Sequence, residues 1–129
     1  MNNLLESNQL NQIINLSKQN SNIVALILFG SYANQTYNDK SDIDLCIIRT
    51  KNSENGDFLD ILDFKDNIFD IHFLDKLPDY IQFRIFSEGK ILYINDEPIF
   101  YKLRKKFLHT YRSEFLFKEK RLKKMLESI

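Results

Sequence analysis

The chain switches between two hydrophobic periods, and each switch marks an element. Over residues 3–18 the apolar positions Leu4, Leu5, Leu10, Ile13, Ile14 and Leu16 recur at helical spacing. The pattern then becomes continuous. Ile23-Val24-Ala25-Leu26-Ile27-Leu28-Phe29 is seven apolar residues long and partly β-branched, which predicts a buried strand. A second strand is expected over 42–49 and a third over 68–74, with a polar loop, KNSENGD, over 51–57. In the third, Asp70 and His72 share one face while Phe69, Ile71 and Phe73 take the other. Leu77-Pro78 opens a helix through Ser87, with Pro78 suited to its first turn and Gly89 ending it. A short strand follows over 90–95. Pro98 then starts a helix running nearly to Ile129, striped by Phe100, Leu103, Phe107, Tyr111, Phe115, Leu122, Met125 and Ile129. That stripe reads as core.

The chemistry concentrates where the first strand hands over to the second, in ILFGSYANQTYNDKSDIDLCII over residues 27–48. Gly30 is the only glycine in the first 55 residues. A glycine at a strand end admits positive φ and lets backbone approach a ligand closely. Ser31 adds a hydroxyl and an N–H. A short helix over 31–37 would aim its free N–H groups at an anion. Ser41 orders the turn before Asp42. On a strand, Asp42 and Asp44 project together while Ile43 points away. Two such carboxylates with a third nearby suit a pair of divalent ions about 3.5–4 Å apart, and magnesium fits oxygen donors of this kind. Asp70 is the expected third carboxylate, placed to accept the proton of an attacking hydroxyl. Asp63, Asp66 and Asp75 are the neighbours that a register error would put in its place. His72 reads as a structural or solvated residue, and His109 as remote from chemistry.

Composition narrows the class. A chain of 129 residues suits one domain spanning 1–129 with a single core. No apolar run approaches membrane-spanning length, and the N-terminus has neither the basic start nor the apolar stretch of a signal peptide. The single cysteine, Cys46, excludes an internal disulfide and reads as a small buried hydrophobe. A cytoplasmic protein is expected. Net charge is zero but uneven. Up to Glu97 there are 8 basic and 15 acidic residues, and from Pro98 onward 10 basic and 3 acidic. The lysine-rich stretch over 118–124 reads as a solvated helix end, with partner binding as the sharper alternative.

Gly30-Ser31, ten residues, then Asp42-Ile43-Asp44 resembles the signature of the nucleotidyltransferase superfamily related to DNA polymerase β. Phe69-Asp70-Ile71-His72, Leu77-Pro78, the stretch from Ile85 to Tyr93 and the long terminal helix make the chain similar to the MntA-type antitoxins paired with HEPN-domain toxins, over roughly residues 20–125. The resemblance implies an α/β (α+β), polymerase-β-like fold, with a small mixed β-sheet packed with helices and a long C-terminal helix. It implies transfer of AMP from ATP to a tyrosine of a HEPN RNase toxin, which silences it. Asp42, Asp44 and Asp70 would hold Mg2+, as two ions, and carry the chemistry. Gly30, Ser31 and Ser41 would bind the nucleotide. The HEPN toxin would be the partner in a hetero-oligomer, with no membrane contact and no direct nucleic-acid binding. Two other readings stay open. One is a small-molecule acceptor such as an aminoglycoside, although such enzymes generally carry a further substrate domain. The other is a non-catalytic antitoxin. Two departures stand out. Ala33 is followed by Asn34-Gln35 where the family usually has Arg-Gly, and the segment between Asp44 and Asp70 is short and acidic, its usual helix reduced to residues 57–64.

Overall fold

The computed structural model describes residues 8–30, 33, 42–66 and 68–127, with backbone alone at 65, 66 and 110–119. β1 (Ile23–Phe29) is apolar at every position because it is central and covered on both faces. It pairs antiparallel with β2 (Ile43–Arg49) and with β4 (Lys90–Ile94). β3 (Phe69–Phe73) adds to β2 in parallel, giving the mixed order β3-β2-β1-β4. Parallel neighbours need a crossover. Here it is a helical passage made of a 3-10 turn at Asn55–Phe58, α2 (Leu59–Leu62) and a second 3-10 turn at Asp63–Asp66.

Each face of the sheet has its own core. On one, Leu10 and Ile13 of α1 (Asn8–Lys18) and Phe58 and Ile61 of the crossover meet Leu26, Leu28, Leu45, Ile47, Phe69 and Ile71. On the other, Ile85 and Phe86 of α3 (Asp79–Glu88) and Phe100 of α4 (Glu97–Glu127) cover Ile27, Cys46 and Ile48. A register shift between Ile23 and Ala25 explains why Val24 and Ala25 both face this second layer. Burial pushes the Cys46 thiol well above its usual range, so it behaves as an inert hydrophobe.

Several boundaries differ from expectation for local reasons. Leu74 leaves the third strand for a 3-10 turn, Leu74–Lys76. Pro78 sits at the N-cap of α3 rather than inside its first turn. Asp96 caps α4, accepting the Ile99 N–H at 3.1 Å, so the helix begins ahead of Pro98. Gly89 ends α3 at φ −68°, outside the left-handed region. Glycine is needed there for space, since a Cβ would lie 2.5 Å from the Ile85 carbonyl oxygen and 2.6 Å from Ile27 Cγ2. The expected core stripe of the terminal helix holds for Phe100, Leu103 and Phe107. It fails for Leu122 and Met125, which are exposed, as is Leu126, while the side chains of Tyr111 and Phe115, and Ile129, lie outside the described residues.

Candidate active site

β2 and β3 begin side by side, and their register places acids against acids. Ile43 pairs with Phe69, Asp44 with Asp70 and Cys46 with His72. Ile43, Phe69 and Ile71 are buried in the α1-side core, which turns Asp44, Asp70 and His72 toward the opposite face. Their ligand atoms all lie within 4.8 Å of one another. His72 Nε2 is 3.0 Å from Asp70 Oδ2 and 3.9 Å from Asp44 Oδ1. The imidazole packs edge-on against Phe29 of β1, with ring centres 5.7 Å apart.

Electrostatics mark Asp44 as the strained member. Partial burial and then the adjacent Asp70 carboxylate raise its pKa, His72 pulls it down, and the charge of Asp42 adds to the rise. Such crowding is relieved by a cation. The donor set fits a divalent ion: two carboxylate oxygens and an imidazole nitrogen converge, each still partly open to solvent.

Gly30 supplies the third side of the site. It lies at φ +74°, and a Cβ there would fall 2.5 Å from Asp44 Oδ2. The glycine is thus required twice, by its backbone conformation and by the acid beside it. Beyond it the Ala33 N–H donates to the Gly30 carbonyl at 3.1 Å, closing a turn. A cavity of about 160 Å³ opens on the α3 side, lined by Phe29, Gly30, Ala33, Ile81, Arg84 and Glu88 among others. Arg84 thus brings a cation beside the turn whose own sequence lacks the usual Arg-Gly.

The expected site residues divide as follows. Asp44, Asp70 and Gly30 are brought together. Asp42 is exposed and stands one residue ahead of β2, outside the ladder that begins at Ile43↔Phe69. It acts on Asp44 through its charge but is not in the three-residue cluster. Ser31 and Ser41, and the expected helix over 31–37 apart from Ala33, lie outside the described residues. Of the competitors for Asp70, Asp63 is exposed in the crossover, Asp75 is held by Arg49 elsewhere, and the Asp66 side chain lies outside the described residues. His109 is exposed on α4. His72, read from the sequence as structural or solvated, joins the two acids in this cluster. Its signal was the two-residue spacing from Asp70 on one polar strand face.

The sequence model of polymerase beta nucleotidyltransferases matches residues 11–98, from α1 through the acid-bearing strands to the start of α4. The chain belongs to this nucleotidyltransferase family. It is 33% identical over 88 residues to a Methanocaldococcus jannaschii protein named "Putative protein adenylyltransferase MJ1547", spanning 66% of this chain and 70% of that one. Among solved structures, a mutant of the toxin-antitoxin MntA-HpeT matches with a TM-score of 0.68 at 18% identity, over 93% of this chain and 99% of that chain. A tri-AMPylated Shewanella oneidensis HEPN toxin in complex with MNT antitoxin matches with a TM-score of 0.60 at 18% identity, over 92% and 96%. At these identities the structures show a shared fold, the polymerase-β-like nucleotidyltransferase fold with a helix at its C-terminal end. Among the described residues no helix is long and apolar enough to cross a membrane.

Proposed function

We propose that this nucleotidyltransferase is an antitoxin-type adenylyltransferase, moving AMP from ATP to a tyrosine hydroxyl of a HEPN-domain RNase toxin and thereby neutralising it. The observation that carries the reading is the in-register Asp44–Asp70 pair beside the positive-φ Gly30. Family membership supplies the reaction class. The adenylyltransferase relative and the AMPylated HEPN toxin complex point to AMP and to a protein acceptor.

In this reading Asp44 and Asp70, with Asp42 at the strand entrance, would hold Mg2+ as two ions. When bound, the metal would supply positive charge to offset that of the triphosphate and of the transition state. Gly30 leaves the backbone bare where the triphosphate approaches. Ser31 and Ser41 are the further nucleotide contacts of this reading. Asp70 takes the proton of the tyrosine hydroxyl as its oxygen bonds to the α-phosphorus. The bond from that phosphorus to the bridging oxygen breaks, and pyrophosphate leaves with the electron pair. The partner complex works in the cytoplasm.

Intact mass spectrometry of a co-expressed HEPN toxin tests this. The wild-type chain should add one or more AMP masses to the toxin in the presence of Mg2+. The pair Asp42→Asn and Asp44→Asn should reduce addition by about 10³-fold or more. Unmodified toxin with the wild-type chain, or full modification by the double variant, would overturn the reading.

A further inference from the structure

His72 has no place in a site built from carboxylates alone, yet it is the group that touches both of them. It sits one pleat beyond Asp70 on the same face of β3, opposite Cys46 of β2. Its ring rests edge-on against Phe29, while Nε2 reaches inward to Asp70 Oδ2 at 3.0 Å and Asp44 Oδ1 at 3.9 Å. A cation about 2.0–2.2 Å from its donors sets neighbouring donor atoms roughly 2.8–3.6 Å apart. The Asp70–His72 separation already lies in that range, and the Asp44–His72 separation is slightly beyond it. Each of the three donors comes from paired β-strand backbone, with β2 and β3 fixed by the same ladder.

We propose that His72 is a third protein ligand of the cation held by Asp44 and Asp70, so that this site is a mixed nitrogen–oxygen centre favouring later first-row divalent ions over Mg2+. The inference rests on the metal-site reading above and adds to it a nitrogen donor, which sets the order of affinities among divalent ions without replacing Mg2+ as the ion of the reaction. Magnesium selects oxygen donors and dehydrates reluctantly, so an imidazole adds little to its binding. Cobalt, nickel and zinc gain from imidazole nitrogen, with affinities rising along the first row. The simpler role for His72 is a hydrogen bond that orients Asp70. The two roles separate by chemistry. Glutamine retains an N–H donor of similar reach but no comparable nitrogen ligand.

The probes are Co2+ and Mg2+, each titrated separately into the full chain without nucleotide. Calorimetry gives the affinities and visible absorption reports the Co2+ coordination. Wild type should bind Co2+ more tightly than Mg2+. His72→Gln should lose about tenfold or more in Co2+ affinity and shift the Co2+ bands, with Mg2+ affinity changed no more than about twofold. Asp44→Asn should weaken both ions. An unaltered Co2+-to-Mg2+ preference and spectrum in His72→Gln would overturn the ligand assignment. If Asp44→Asn still lost both ions in that case, the carboxylate metal site would stand without His72. If Asp44→Asn bound both ions as wild type does, the metal-site reading would fail with it.

Discussion

A single missing side chain sets the geometry beside Asp44. Gly30 occupies φ +74°, where an L side chain is strained by about 1–2 kcal/mol. Its Cβ would also lie 2.5 Å from Asp44 Oδ2. Gly30→Ala should therefore lower unfolding free energy by about 1–3 kcal/mol in urea titrations. It should also displace the Asp44 carboxylate and reduce AMP transfer at least about tenfold, since misplacement of about an ångström is costly in catalysis. A variant with wild-type stability and wild-type transfer would show that neither constraint operates. The need for glycine was legible in its position between an apolar strand and a polar loop. The collision with Asp44 was not, because it depends on Phe29 lying opposite Asp44 in the β1–β2 pairing.

At the level of elements, the far end of β2 is tied down by Arg49. Its Nε and Nη2 donate to the two Asp75 oxygens at 2.8 Å, and Nη1 donates to Asn55 Oδ1 at 2.8 Å. The guanidinium lies 3.9 Å from the Phe73 ring centre. One side chain thus joins β2, the end of β3, the turn after it and the crossover. The Arg49 hydrogen bonds hold the Asp75 carboxyl below its usual 3.8. A lowered folded pKa gives stability that is present above the unfolded value and lost as pH falls through the folded one. The pair is half exposed on the Asp75 side, so the effect is small. Asp75→Ala should cost no more than about 1 kcal/mol at pH 7. Its deficit against wild type should shrink as pH drops below 3.8, followed by urea unfolding at several pH values. A deficit that persisted unchanged at pH 2 would assign Asp75 a role other than charge pairing. Sequence pattern placed Asp75 only as a rival to Asp70. A partner 26 residues away is invisible to periodicity.

Across the whole molecule, acidic and basic charge divide along the chain. Asp42, Asp44 and Asp70 lie where β2 and β3 begin, while α4 carries ten of the eighteen basic residues after Pro98. Lys120, Arg121, Lys123 and Lys124 are exposed near its end, interleaved with exposed Leu122, Met125 and Leu126. An apolar stripe rimmed by cations suits an acidic protein partner better than solvent alone. Reversing the four cations to Glu should leave ATP-analogue affinity unaltered and weaken toxin capture at low salt by about tenfold. The difference should fade as ionic strength rises. Equal capture by both proteins at low salt would rule out the docking role and leave the catalytic assignment intact.

The sequence by itself determined what local pattern can carry. A continuous apolar run marked β1 as a buried strand, and residues 42–49 read as a second. Alternation put Phe69 and Ile71 inward and Asp70 outward on β3. Gly30-Ser31 followed by Asp42-Ile43-Asp44 pointed to phosphate and metal chemistry, and its resemblance to a known signature implied nucleotidyl transfer. Tertiary structure decided which groups meet. The parallel pairing of β2 with β3 put Asp70 beside Asp44 and carried His72 to the carboxylates. The start of that ladder at Ile43 left Asp42 at the threshold of the cluster. Packing of α4 against α3 and β1 decided how much of its stripe is core, with Phe100 buried and Leu122 exposed. Periodicity fixes the direction a side chain takes from its own backbone. Only strand pairing and layer packing fix which side chain of another segment stands opposite.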